Sequence, residues 1–208
     1  MFEILKSPEC IRVLAIDPST SCMGVSVFDV NIVRPEPFKL LYMNTIFGDK
    51  LLYDIPVQFD DTASTGIVAR SYGMGRSLDM LVQIFEPDSG ICEDNFLGMS
   101  PLTFKQLIQV VAILREQFVA NGVHMSLVLP RLAKQVVNAD FPGSKKEDVH
   151  KGVMEYKWLD AGEIDLSLVD EHSADSGAIG IYRCELIARH YGVFPHEQTG
   201  RSTRGRVE

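Results

Sequence analysis

An α/β domain with a mixed sheet flanked by helices is the fold class this sequence predicts. Two observations carry it. Three β-branched runs crowd residues 11–47, and beyond residue 64 helical periodicities alternate with short apolar runs. That order, strands first and then helices alternating with strands, is an α/β pattern.

IRVLAID (11–17) and MGVSVFD (23–29) flank the turn PSTSC, which predicts a hairpin. KLLYMNTIF (39–47) follows the proline-rich NIVRPEP and reads as a third strand. Residues 48–62 are irregular and read as an insertion. A helical pattern runs from 64 to 85 through SLDMLVQIF, weakened by Gly73 and Gly75, and stops before Pro87. GICED (90–94) reads as a short buried strand. Residues 101–122 place Phe104, Leu107, Ile108, Val111, Leu114 and Phe118 in a helical stripe closed by Asn121-Gly122. HMSLVLP (124–130) is a fifth strand, followed by a helical LAKQVVNA, a turn at DFPGS and a helix from near Lys145. A last helix spans 173–192. The tail from 193 to 208, rich in Arg, Ser, Thr and Gly, is expected to be mobile. Residues 1–192 therefore read as one domain.

The composition sets bounds. With 46% hydrophobic residues the chain can bury a core without a disulfide or metal staple. No apolar run approaches the roughly 18 residues that would span a membrane. The opening MFEILKSPECIRVLAID lacks the basic-then-apolar order of a secretory signal. Cys10, Cys22, Cys92 and Cys184 form no CxxC pair and read as reduced structural thiols in a cytoplasmic compartment. A net charge of −8 argues against a nucleic-acid coat protein. It leaves room for a nuclease, whose site carboxylates add negative charge while its phosphate contacts need only a local basic surface. Basic residues do gather, as Arg131, Lys134, Lys145, Lys146, Lys151 and Lys157, and again as Arg201, Arg204 and Arg206.

The acids that end elements are the candidates for chemistry. Asp17 ends the first strand before Pro18-Ser19-Thr20; read alone, it also suits a turn residue bonding its own backbone. Glu93 follows the apolar Ile91-Cys92 and marks either a functional acid or the strand's exposed exit. His172 and Asp175 lie three apart at a helix start, where an acid also satisfies the helix dipole. Asp170 and Glu171 could replace either. Jointly, three carboxylates and an imidazole suit hard divalent cations such as Mg²⁺ or Mn²⁺. Two such ions promote phosphodiester hydrolysis.

Here the sequence resembles a known family. VLAIDPSTSCMGVSVFD is similar to the first motif of the RuvC family of Holliday junction resolvases, in which an Asp-Pro-Gly turn joins two strands; Ser19 stands where the glycine is usual. EPDSGICEDNF resembles the second motif, with Glu93 on the metal-binding glutamate and Phe96 on an aromatic that contacts the junction core. LAKQVVNADFPGSKKEDV resembles the stretch that links two lysines, here Lys134 and Lys146, with one extra residue allowed. EHSADSGAIGIY resembles the closing motif and places its metal-site residues on His172 and Asp175. The resemblance covers most of residues 11–191. It implies an RNase H-like fold with a five-stranded mixed sheet. It further implies a homodimeric endonuclease that cuts branched DNA, four-way junctions above all, to 5′-phosphate and 3′-hydroxyl ends. Asp17, Glu93, His172 and Asp175 would hold two Mg²⁺ or Mn²⁺ ions per active site. Lys134 and Lys146 would contact phosphates, with Lys146 also assisting catalysis, and Phe96 would probe unstacked bases. Two rivals remain: an ATP- or phosphate-binding protein of the actin-like class, and a catalytically silent module that binds branched DNA.

Overall fold

A computed structural model of the chain describes residues 6–50, 66–94 and 100–194. Most of the expected insertion, the tail beyond Phe194 and Phe96 itself lie outside the described residues.

Three antiparallel strands form first: β1 (Cys10–Pro18), β2 (Cys22–Asn31) and β3 (Phe38–Phe47). The β1–β2 hairpin pairs Asp17 with Gly24 and Pro18 with Met23. Its turn is closed by Ser19, whose N–H donates to the Cys22 carbonyl at 2.9 Å while its hydroxyl accepts from the Cys22 N–H at 3.0 Å. Ser19 is not among the described residues with positive φ, so this turn does not require glycine there.

Helix α1 (Ile67–Phe85) leads to β4 (Ser89–Glu93), and α2 (Pro101–Ala120) leads to β5 (Met125–Val128). Both strands run parallel to β1, as crossover helices require. Helices α3 (Pro130–Val136), α4 (Lys146–Met154) and α5 (Glu171–His190) complete the chain. The sheet has six strands rather than the five expected, in the order β5-β4-β1-β2-β3-β6. The addition, β6 (Leu159–Asp160), pairs with Phe38 and Lys39 of β3. Two residues carry no periodicity, so only the neighbouring strand reveals them.

Side-chain alternation divides the core. Leu14, Ile16, Val25, Val27 and Cys92 pack under α1 and α2. Val13, Ala15, Phe28, Val30 and Ile91 pack under α3, α4 and α5. With both faces covered, β2 is buried along nearly its whole length. Arg12 is the largest fully buried side chain among the described residues. It is held by a two-point pair with Asp29 at 2.7 and 2.8 Å and by the Phe85 carbonyl at 2.8 Å.

Candidate active site

Strand parity aims two carboxylates at the same place. Asp17 continues the row of Val13 and Ala15, and Glu93 continues that of Ile91, so both belong to the sheet face that α5 covers. The parallel register pairs Ile16 with Cys92, which leaves Asp17 and Glu93 side by side one step further on. Both stand at the carboxyl ends of adjacent parallel strands, where sites in α/β sheets gather.

Helix α5 supplies the other two groups, and its placement follows from a chain of close approaches. A Cβ on Gly24 would collide with the carbonyl oxygen of His172. The Ser26 hydroxyl donates to the Ser176 carbonyl at 2.8 Å. A Cβ on Gly180 would run into the Phe28 ring. Residues 24, 26 and 28 thus face 172, 176 and 180. Two strand residues span about 6.6 Å and four helical residues about 6 Å, so strand and helix stay in step. This register sets the helix start over Asp17, where His172 Nδ1 lies 3.3 Å from Asp17 Oδ2.

The helix begins two residues earlier than its sequence pattern suggests, which separates the four neighbouring polar residues. Asp170 is the N-cap. It accepts from the Ser173 N–H at 2.9 Å and from the Thr45 hydroxyl at 2.5 Å. Against the cost of its burial, these donors hold Asp170 below the usual carboxylate range. Glu171 accepts from the Lys146 ammonium at 2.7 Å. His172 and Asp175 remain to face the strand carboxylates.

The electrostatics report the crowding. Burial first, then the charges of Asp17 and Asp175, push Glu93 up to about 8, with Lys134 opposing. Burial and then Asp17 push Asp175 up to about 6, opposed by Lys146, Lys134 and His172. The hydrogen bond to Asp17 raises the His172 pKa against desolvation. Asp17, Glu93, His172 and Asp175 therefore share one site, flanked by Lys134 and Lys146. Excess negative charge on oxygen donors, with one imidazole, is chemistry that fits a hard divalent cation. Among the described residues, no three such side chains are closed around a common point as a ready-made cage. Cys92, beside Glu93, is fully buried, and burial followed by Asp17 and Glu93 keeps it a protonated thiol rather than a nucleophile.

Gly24 and Ser26 were not singled out by the sequence pattern, and Asp170 only as a possible substitute for a ligand. Gly24 was detectable, since counting back from the PSTSC turn sets it opposite Asp17. Asp170 is recognisable as a cap only once the helix start is known. Ser26 carries no local signal at all.

No protein-family model and no curated protein sequence matches the chain. Solved structures do. Thermus thermophilus RuvC superposes with a TM-score of 0.60 at 18% identity, covering 88% of this chain and 98% of that one. The yeast mitochondrial Holliday junction resolvase Ydc2 gives 0.58 at 15% identity over 90% and 84%. The fowlpox virus Holliday junction resolvase gives 0.51 at 11% identity over 85% and 99%. The chain shares the fold of these structures.

Proposed function

We propose that this chain is a structure-selective endonuclease that hydrolyses phosphodiesters in branched DNA, Holliday junctions among its substrates. The observation that carries the reading is the meeting of Asp17, Glu93, His172 and Asp175 at the carboxyl ends of β1 and β4, between two lysines. The resolvase identity of the structural neighbours, one of them Thermus thermophilus RuvC in complex with a Holliday junction substrate, supports the same reading.

Asp17, Glu93 and Asp175, with His172, would hold two Mg²⁺ or Mn²⁺ ions. Such ions supply positive charge at the attacking and leaving oxygens of a phosphodiester displacement, which gives 5′-phosphate and 3′-hydroxyl products. Lys134 and Lys146 flank the carboxylates and offer cations to the DNA backbone. The raised pKa of Lys146, caused first by its hydrogen bond to Glu171, keeps it an ammonium. Phe96 lies three residues beyond Glu93 and is assigned to the unstacked bases of the crossover. Two copies of the chain, related by a two-fold axis, would cut a four-way junction symmetrically.

A nicking assay with Mg²⁺ across four-way, forked, flapped and linear duplexes tests the reading. Paired nicks at branch points are expected. Equal cutting of linear duplex would remove the branch selectivity. Binding without cutting in either metal would leave a silent DNA-binding module, and tight ATP binding in its place would favour the actin-like class.

A further inference from the structure

The first residue of α4 and the first residue of α5 meet through their side chains. The Lys146 ammonium donates to Glu171 Oε1 at 2.7 Å, and this is its only ion pair among the described residues. The same oxygen stands 3.8 Å from His172 Nε2. The other ring nitrogen, Nδ1, faces Asp17 Oδ2 at 3.3 Å. His172 is thus flanked by a carboxylate at each nitrogen, and only Asp17 belongs to the cluster between the strands.

An imidazole ligates through its unprotonated nitrogen, and the opposite N–H needs an acceptor that fixes ring and tautomer. A lysine, in turn, is a point charge on a flexible stem that needs an anchor to hold a position. We propose, resting on the ion-binding reading above, that Glu171 is a positioning residue serving both. When an ion displaces the Nδ1 hydrogen bond to Asp17, Glu171 closes the present 3.8 Å gap to take the Nε2–H of His172, which leaves Nδ1 to face that ion, and it anchors the Lys146 ammonium next to the site. An acid in the first turn of a helix also stabilises the helix itself. That purely structural role predicts a loss of stability and nothing more.

Glu171→Ala and Glu171→Gln in the full chain separate these roles. Three quantities are measured without DNA: Mn²⁺ affinity from the free-ion resonance signal, the tautomer of His172 from ring nitrogen shifts with Mg²⁺ bound, and the melting temperature. The Ala variant is expected to bind Mn²⁺ about tenfold more weakly and to show a mixture of ring tautomers. The Gln variant keeps a neutral acceptor of the same shape and restores the Nε2–H form and most of the affinity. With the Lys146 anchor weakened, both variants lower kcat on a four-way junction and raise KM. An Ala variant with unchanged Mn²⁺ affinity and tautomer, and only a lower melting temperature, would overturn the proposal while the ion-binding reading stands. Wild-type protein that binds no Mn²⁺ would overturn that reading and the proposal together.

Discussion

Partly burying Asp17, Glu93 and Asp175 within reach of one another costs free energy that packing alone does not repay, and such crowding marks functional sites. Asp17→Asn, Glu93→Gln and Asp175→Asn keep the shape of the site and remove its charge. Each is expected to bring cleavage down to background while junction binding persists, measured by nicking and gel shift on the same preparations. Any of the three that cuts at the wild-type rate is not a ligand. His172→Ala is expected to cost less, because imidazole is a poorer Mg²⁺ ligand than carboxylate. The same crowding sets a pH dependence. Glu93 in the metal-free fold titrates at about 8, above its ordinary 4.5, and Asp175 at about 6, above 3.8. Between those values the folded protein holds protons that the unfolded chain has released, so stability is full below the lower values and falls as pH rises through the upper ones. The melting temperature of metal-free protein is expected to drop from pH 5 to pH 8.5, and Glu93→Gln is expected to flatten that slope. An equal slope in wild type and Glu93→Gln would show that Glu93 is not the group concerned.

The register of α5 on β2 connects packing to chemistry at the scale of an element. Gly24 and Gly180 are both positions where helix and sheet touch without a side chain, but only Gly24 lies under the site. Gly24→Ala forces the helix start away from Asp17, and Gly180→Ala forces the far end away from Phe28. Each overpacking is expected to cost about 1–3 kcal/mol. The two diverge in the effect of Mg²⁺ on melting: Gly180→Ala keeps the wild-type stabilisation, whereas Gly24→Ala loses it and loses cleavage. Equal Mg²⁺ responses in both variants would mean that the helix start has slack and that the close approach does not set the site.

Charge and association belong to the whole molecule. A chain of net charge −8 binds a polyanion only through local cations. Lys134→Met and Lys146→Met are each expected to reduce the dependence of log affinity on log salt by about 0.9, one phosphate contact apiece. An unchanged slope in both would make them ordinary surface lysines. The α2 stripe divides between inside and outside. Leu107, Val111, Leu114 and Phe118 are buried in this chain's own core, whereas Ile108 is exposed, as is Leu102 outside the stripe. The smaller outward share still offers apolar surface to a second copy. A dimeric mass by light scattering at micromolar concentration is the expected outcome, and a monomeric mass would remove the two-fold cutting scheme.

By itself the sequence outlined five strands and five helices, and with the family resemblance it proposed the four site residues that the fold places near one another. Those signals are local: β-branched runs, a helical stripe, turn residues and acids at element ends. Helix boundaries were legible to within two or three residues at most ends, because caps and prolines act through neighbouring backbone. The tertiary structure decided what depends on two distant segments. Strand β6 exists only because Phe38 and Lys39 offer an edge to residues 159 and 160. Of the four polar residues from Asp170 to Ser173, only His172 meets Asp17, because Gly24 lets the helix backbone settle onto β2 at that one register. Asp170 is turned to capping by Thr45, a residue 125 positions away. Sequence spacing fixes which residues share a face of an element, but which faces meet, and at what register, is set by close packing between elements.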